Sequence, residues 1–156
     1  MMTLQQIRTI EASLGYIFLD SDLLVQALTR KAAALEQRQK GRDCKDQEVF
    51  RTLGDAILKA VLTELLIHQG YVTPGEITER KKDLEREESL SNKIRSMNIV
   101  PIVGIGERRT GVQQQSPALA ETFEAIIAAI YKDGGYEIIK KLIIKWFFPQ
   151  TAIVTD

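Results

Sequence analysis

The chain has 156 residues, 44% hydrophobic and 27% charged, a length and composition that suit one soluble globular domain with a sizeable core. Its 21 basic and 21 acidic residues cancel, which excludes a general electrostatic attraction to nucleic acid, and one cysteine (Cys44) with one histidine (His68) is too few for a zinc site. No apolar run is long enough to span a bilayer and no signal peptide is visible, so we expect a cytoplasmic protein without membrane contact.

Helical periodicity runs through nearly every segment, and no convincing period-2 pattern is present, which predicts an all-α fold. After an entry loop, Asp20 or Ser21 is the expected N-cap of a helix whose inward side chains are Leu23, Leu24, Ala27 and Leu28. The polar stretch RQKGRDCKDQ predicts a loop. A long helix is then expected from about Glu48 to Gln69, with its stop at Gly70.

The middle of the chain is dense in charge and then rich in glycine. Thr73, Pro74 and Glu76 form a capping-box start for TPGEITERKKDLEREESLSNKIRS, whose charges alone indicate a solvated face with ion pairs between residues i and i+4. The Gly- and Gln-rich stretch PIVGIGERRTGVQQQSP predicts a mobile loop with Arg108 and Arg109 at its tip.

Two helices end the chain. Ser116 and Pro117 are expected to cap and start the helix ALAETFEAIIAAIYKDGG, which its double glycine ends, and the amphipathic helix YEIIKKLIIKWFF follows. Because no internal repeat is visible, we expect a single domain over residues 1–150 and a short tail over residues 151–156.

Acidic side chains interrupt the apolar faces of two of these helices. In helical spacing Asp55 lies on the stripe of Leu58 and Leu62, which should face the core, and Glu124 is flanked one turn away by small and apolar residues. A carboxylate removed from water costs several kcal/mol unless it is paired, protonated or bound to a cation. If the two helices pack together, Asp55, Glu121 and Glu124 converge into an oxygen-ligand site suited to Mg²⁺ or Mn²⁺.

Such a site suits phosphodiester hydrolysis, because a magnesium ion helps to generate hydroxide from water and stabilises charge on the attacked phosphate. The competing interpretation is purely structural: Arg51 pairs with Asp55 at i,i+4, and the glutamates cap helices or face solvent. Spacing alone favours neither.

The motifs themselves resemble a known family. EVFRTLGDAIL resembles the ribonuclease III signature E-R-L-E-F-L-G-D-A-V-L, and ALAETFEAIIAAIYKDGG resembles that family's second motif, A-D-A-F-E-A-L-I-G-A-I-Y-L-D-G-G. The similarity covers nearly the whole chain, in order. It implies the all-helical ribonuclease III endonuclease domain fold and a homodimer that cuts double-stranded or structured RNA with Mg²⁺, leaving short 3′ overhangs and 5′-phosphate ends.

The resemblance also implies roles for four acids. Asp55 and Glu124 correspond to the central Mg²⁺ ligands. Glu121 stands at the family's usual aspartate and would support the metal through water. Glu48 matches the first acid of the signature, which in the family lies at the subunit interface near the catalytic cleft.

Three positions depart from the family pattern. Arg51 replaces the second glutamate of the signature, Thr52 replaces the usual Phe, and Arg30 replaces the His of L-T-H-R-S. A positive charge one turn from Asp55 would weaken cation binding, occupy the metal site itself, or contact the RNA phosphate instead. Family members called mini-ribonuclease III, which are similar in size, also lack a glutamate at that place.

The family's usual C-terminal double-stranded-RNA-binding domain is not expected here, because only a helix and a short tail follow Gly135. Such a domain reads the shape of about 16 base pairs, so RNA must be bound by the dimer's own surface or with an auxiliary RNA-binding protein. The basic residues that we expect to contact phosphate, each of which also suits an ordinary solvated surface, are Arg51, Lys81, Lys82, Arg86, Arg108 and Arg109.

The apolar content is also consistent with a dimer. Core or interface roles fit equally well for the apolar residues Leu53, Val61, Leu65, Ile126, Ile127 and Ile130, with the segment IIKKLIIKWFF. The aromatic run at residues 146–148 is expected to be a packed helix end and not a platform for stacking bases.

Three functional hypotheses remain open at this point. The first is a Mg²⁺-dependent ribonuclease III-type endoribonuclease. The second keeps the fold and the dimer but not the catalysis, with Arg51 filling the cation site and the protein binding double-stranded RNA or scaffolding a partner. The third, a helical nucleoside-triphosphate pyrophosphohydrolase, accounts for Glu121 and Glu124 but leaves the motif TLGDAIL unexplained.

Overall fold

The computed structural model describes residues 1–150, and within that range the protein is all-α, as predicted. Its helices, in chain order, are α1 (Leu4–Leu14), α2 (Ser21–Leu28), α3 (Lys31–Gln39), α4 (Glu48–His68), α5 (Pro74–Glu85), α6 (Glu87–Ser96), α7 (Ile105–Arg109), α8 (Ser116–Gly134) and α9 (Tyr136–Phe147), with a 3₁₀ turn over Val112–Gln114. None of these helices is long and apolar enough to cross a membrane.

The helix α8 is the centre of the fold. It packs against α2, α4 and α6, and most of its side chains are buried because Ala and Ile residues recur on every face. Several apolar residues that were considered for a dimer interface are buried in this core of a single chain, namely Val61, Leu65, Ile126, Ile127 and Ile130. They stabilise the fold of one chain and are not available to a partner.

The helix predicted after Asp20 is in fact two helices, α2 and α3. Asp20 is the N-cap, but the backbone of Thr29 is extended and ends α2. The cause is tertiary: residues 29 and 102 form an isolated parallel bridge, in which Ile102 N donates to Leu28 O and Arg30 N donates to Ile102 O. Leu23, expected to face inward, is only partly buried.

The charged segment after Thr73 is also divided, because Arg86 has extended backbone between α5 and α6. At its start, Thr73 Oγ1 accepts from Glu76 N at 3.3 Å as expected. The return contact differs from a capping box, since the Thr73 hydroxyl donates to the Glu76 carboxylate at 3.0 Å. At α8 the N-cap is Gln115 and not Ser116, whose hydroxyl accepts from Arg95 instead.

The Gly- and Gln-rich segment contains α7 and the 3₁₀ turn, where a loop was expected. Its first residues are tied to the core by the bridge at residue 102 and by the burial of Val103. Glu107 accepts from Gly104 N at 3.2 Å, which caps α7, and Glu36 accepts from Ile105 N at 2.7 Å. Arg108 and Arg109 lie in the last turn of α7.

The C-terminal ends of α8 and α9 are fixed by side-chain contacts. Asp133 accepts from the Tyr16 hydroxyl at 2.6 Å and from the backbone N–H groups of Leu19 and Asp20, which fastens the connection between α1 and α2. The rings of Trp146 and Phe147 lie 5.6 and 6.3 Å from that of Phe123, so the aromatic run packs against the core as predicted.

Candidate active site

The site is built where α4 and α8 cross. Gly54 is buried at that crossing, and a Cβ there would overlap the backbone carbonyl of Glu124 and lie 3.2 Å from the Glu124 Cα. The missing side chain therefore lets the two helix backbones approach each other closely. Asp55, the next residue of α4, is brought beside Glu124 of α8.

Asp55 lies at the edge of the apolar stripe of α4 and is not buried with it. Leu58 and Leu62 are fully buried, whereas the side chain of Asp55 is 44% exposed. The expectation that this carboxylate faces the core was therefore wrong. Its Oδ1 atom accepts from Lys59 Nζ at 2.9 Å, one helical turn further along.

Glu124 is more deeply placed, and it forms no ion pair with any residue of the described range 1–150. Burial, followed by the negative charge of Asp55, raises its pKa from the usual 4.5 to about 7, although the charges of Arg51 and Lys59 oppose the change. Within residues 1–150 no side chain or backbone group donates a hydrogen bond to its carboxylate. A neighbouring cation would lower this pKa and stabilise the ionised form.

Glu121 is held by two arginines. Arg30 Nη1 donates to Glu121 Oε2 at 2.8 Å, and Arg51 Nη2 lies 3.1 Å from Glu121 Oε1. Arg51 also donates to Glu48 at 3.1 Å, and Arg30 to Glu107 at 2.9 Å. These contacts form a continuous row of alternating charge, in which Arg51 pairs with Glu48 and Glu121 and not with Asp55 as the structural interpretation supposed.

Several charged residues of this site were missed by the sequence analysis. Lys59 contacts both Asp55 and Glu85, and the i,i+4 spacing of Asp55 and Lys59 was a signal that could have revealed the first contact. The positions of Glu85 and Glu107 had no such signal, because their partners lie on other elements. The role of Arg30 was also unforeseen, although the residue was noted as a departure from the family.

The donor set partly fits a divalent cation. Mg²⁺ needs only one or two carboxylates because it keeps several of its waters, and Asp55 Oδ2 and the Glu124 carboxylate have no hydrogen-bond partner within the described chain. Against this, Lys59 donates a hydrogen bond to Asp55 Oδ1, and Glu121 is paired with arginines. Residues 1–150 also contain no cluster of three or more potential metal ligands. The fit is thus to an ion held by two carboxylates.

The basic residues expected to contact phosphate are spread over three elements. They lie on α5, at the junction of α5 and α6, and in the last turn of α7: Lys81, Lys82, Arg86, Arg108 and Arg109. All except Lys81 are exposed, and none forms an ion pair within the described chain. Arg51 differs, because both ends of its guanidinium are engaged by acids.

Known proteins resemble this chain over most of its length. A curated relative named Ribonuclease 3 from Blochmanniella pennsylvanica is 33% identical over 144 residues, which cover 90% of this chain and 59% of the relative. A second Ribonuclease 3, from Pseudothermotoga lettingae, is 33% identical over 147 residues, which cover 92% of this chain and 62% of that relative. The chain thus spans about three fifths of the length of the curated relatives it matches.

Solved structures of known proteins share the fold of this chain. Two structures of the nuclease domain of ribonuclease III from Campylobacter jejuni match with a TM-score of 0.79 and 30% identity, covering 92% and 94% of this chain and 99% of each of theirs. The Ribonuclease-III-like family model matches residues 20–151. With its two motifs meeting at the α4–α8 crossing, the chain belongs to the ribonuclease-III-like family.

Proposed function

We propose that this protein is a Mg²⁺-dependent endoribonuclease that cleaves double-stranded or structured RNA. The observation that carries the proposal is the meeting of Asp55 and Glu124 at the Gly54 crossing, where Asp55 Oδ2 and the Glu124 carboxylate accept no hydrogen bond from residues 1–150. Hard divalent cations prefer such oxygens. The names of the curated relatives support RNA hydrolysis as the reaction.

In this proposal Asp55 and Glu124 would hold the metal, with Mn²⁺ as an alternative ion. The bound ion would supply a water of lowered pKa and stabilise charge on the phosphate. Glu121, and Glu48 beyond it, act through Arg51: the two acids hold the guanidinium in place between them. Arg51 then presents its remaining N–H groups to an RNA phosphate.

RNA binding is proposed to use the exposed basic residues as point charges on the phosphate backbone, namely Lys81, Lys82, Arg86, Arg108 and Arg109. A homodimer would bring two such surfaces to one duplex, and Val49, which is 74% exposed one residue from Glu48, supports an apolar contact there. An auxiliary RNA-binding protein would extend the contact. On this proposal the protein acts in the cytoplasm as one catalytic domain over residues 1–150.

A second candidate function is favoured by a specific observation. Lys59 and Arg51 already provide positive charge beside Asp55 and Glu121, so the acids of the site are largely neutralised by the protein itself. In that case the protein would bind double-stranded RNA or scaffold an active partner without cleaving it. This function requires binding that does not depend on Mg²⁺.

The test is cleavage of a long duplex RNA and of structured ribosomal RNA by the purified protein, with Mg²⁺ and with EDTA. Discrete products that need Mg²⁺ are expected from the wild type and not from Asp55→Asn. Asp43→Asn is the matched control, because Asp43 is an exposed loop acid outside the site and its loss should change nothing.

Intact RNA that nevertheless shifts in a gel, with equal affinity in Mg²⁺ and in EDTA, would favour the binding function and remove the enzyme proposal. Cleavage that survives in Asp55→Asn would show that the nuclease activity does not come from this site.

A further inference from the structure

Lys59 lies between two carboxylates that belong to different helices. Its Nζ atom is 2.9 Å from Asp55 Oδ1 on α4 and 3.3 Å from Glu85 Oε1 at the end of α5. Partial burial lowers the pKa of Lys59, but the hydrogen bond to Asp55 and the charge of Glu85 outweigh it and raise the pKa above its usual range. Lys59 is therefore a cation shared between a proposed metal ligand and a second acid.

Glu85 is an unusual surface acid. Its side chain is only 17% exposed, and its Oε2 atom is buried without a hydrogen-bond partner in the described chain. A buried carboxylate oxygen without a donor is unfavourable, and the ammonium of Lys59 has three N–H donors on a flexible stem. Glu85, beside Lys59, therefore has one carboxylate oxygen that lacks a hydrogen-bond donor within residues 1–150.

We propose that Lys59 is a movable counter-ion of the metal site, which neutralises Asp55 when no divalent cation is bound and shifts onto Glu85 when one binds. The inference rests on the proposed function, because it requires a divalent cation at Asp55. Lys59 and Glu85 are positioning residues in this scheme: neither touches the metal or the RNA.

Electrostatics gives the reason for the movement. A divalent cation on Asp55 Oδ2 and the Lys59 ammonium on Oδ1 repel each other at a few ångströms, which favours movement of the ammonium away from the metal. Glu85 offers the ammonium a nearby acceptor whose buried oxygen gains its missing donor, which offsets part of the lost contact with Asp55. The metal affinity of the site therefore depends partly on how strongly Glu85 binds the ammonium group of Lys59.

The test measures Mn²⁺ binding to the whole protein by the loss of the free-ion signal in electron paramagnetic resonance, with no RNA present. Lys59→Gln removes the competing cation and should tighten Mn²⁺ binding by roughly three- to tenfold. Glu85→Gln removes the alternative acceptor, so Lys59 stays on Asp55 and binding should weaken by a similar factor.

The double variant Lys59→Gln with Glu85→Gln separates this scheme from simple charge effects. If Glu85 acts only through Lys59, the double variant binds Mn²⁺ as tightly as Lys59→Gln alone. If each charge acts on the metal independently, the two effects add, and the proposal is overturned. Lys140→Gln is the matched control, since it breaks a similar pair with Glu64, more than two helical turns beyond Asp55 on α4. That control should leave Mn²⁺ affinity unchanged.

The outcomes distinguish the inference from the function on which it rests. Unchanged Mn²⁺ affinity in Lys59→Gln overturns the movable counter-ion and leaves the proposed nuclease standing. Absence of Mn²⁺ binding in the wild type and in every variant, with all proteins folded by circular dichroism, overturns both.

Discussion

The carbonyl oxygen of Glu124 occupies the space that a Cβ on Gly54 would need. One contact between two backbones thus sets the separation of α4 and α8, and with it the distance between the Asp55 and Glu124 carboxylates. A single absent methyl group links the packing of the core to the geometry of the site.

Replacing Gly54 by alanine should therefore damage both fold and site. A methyl group here meets backbone atoms, which cannot move as a flexible side chain can, so we expect at least about 1–3 kcal/mol of destabilisation in urea unfolding. Gly75→Ala is the control, because a Cβ at that position in α5 meets nothing within 4 Å. Equal stability of Gly54→Ala and wild type would contradict the close crossing.

Arg51→Glu tests the most prominent departure from the family signature. The change removes the partner of Glu48 and Glu121 and adds a third negative charge, so we expect a lower melting temperature without divalent cations and a larger rise on adding Mg²⁺. Calorimetry at several Mg²⁺ concentrations measures both.

Arg51→Gln separates loss of the guanidinium from gain of an acid: it should lower the melting temperature without divalent cations, and its rise on adding Mg²⁺ should be smaller than that of Arg51→Glu. RNA cleavage by Arg51→Glu that is unchanged or lower, despite tighter metal binding, would indicate that Arg51 has a role of its own towards the phosphate.

The raised pKa of Glu124 predicts a dependence of stability on pH. Between about 4.5 and 7 the folded chain holds this proton more tightly than the unfolded chain, so the free energy of unfolding falls as pH rises through that window. Glu124→Gln should remove this fall, and its stability relative to wild type should be greater at pH 8 than at pH 5 in urea titrations.

The size of the effect is bounded by about 1.4 kcal/mol for each unit of pKa shift, reduced because solvent reaches part of the side chain. The exposed Glu79 on α5 gives a control, since Glu79→Gln should change stability equally at both pH values. Parallel pH profiles for wild type and Glu124→Gln would show that the acid ionises as it does in an unfolded chain.

The hydrogen bonds of Asp133 to Tyr16, Leu19 and Asp20 predict which of two substitutions lowers stability more. Asp133→Asn leaves one carbonyl oxygen for three donors and should cost about 1–3 kcal/mol, because a backbone N–H or the Tyr16 hydroxyl loses its acceptor. Tyr16→Phe removes one hydrogen bond and should cost less, about 1 kcal/mol. Urea unfolding measures the stability of both variants, and a larger loss of stability in Tyr16→Phe than in Asp133→Asn would contradict this ranking.

The sequence predicted helices best where their ends carry local signals. The bounds of α4 agree closely with the prediction because Gly70, with a positive φ, follows it, and α8 ends at its glycine pair. The breaks at Thr29 and Arg86 have no glycine or proline to mark them. The first is caused by the bridge to Ile102, a contact that no local pattern encodes.

The motifs predict which acids lie near the α4–α8 crossing, whereas most partners of these acids have no signal in the sequence. The pairs of Arg30 with Glu107 and of Lys59 with Glu85 join separate elements, so no periodicity reveals them. The burial of Asp55 was misjudged because a helical stripe has edges, and a residue on an edge stays half in water.

The buried amide of Gln47 has a consequence for the order of assembly. Its Nε2 atom donates to Ala27 O at 2.7 Å and to Thr122 Oγ1 at 3.1 Å, a residue 75 positions later in the chain. Contacts of such sequence separation form slowly, because a long loop must close before they are made. During synthesis α4 emerges before α8, so the part of its apolar face that packs against α8 stays uncovered until the second motif arrives.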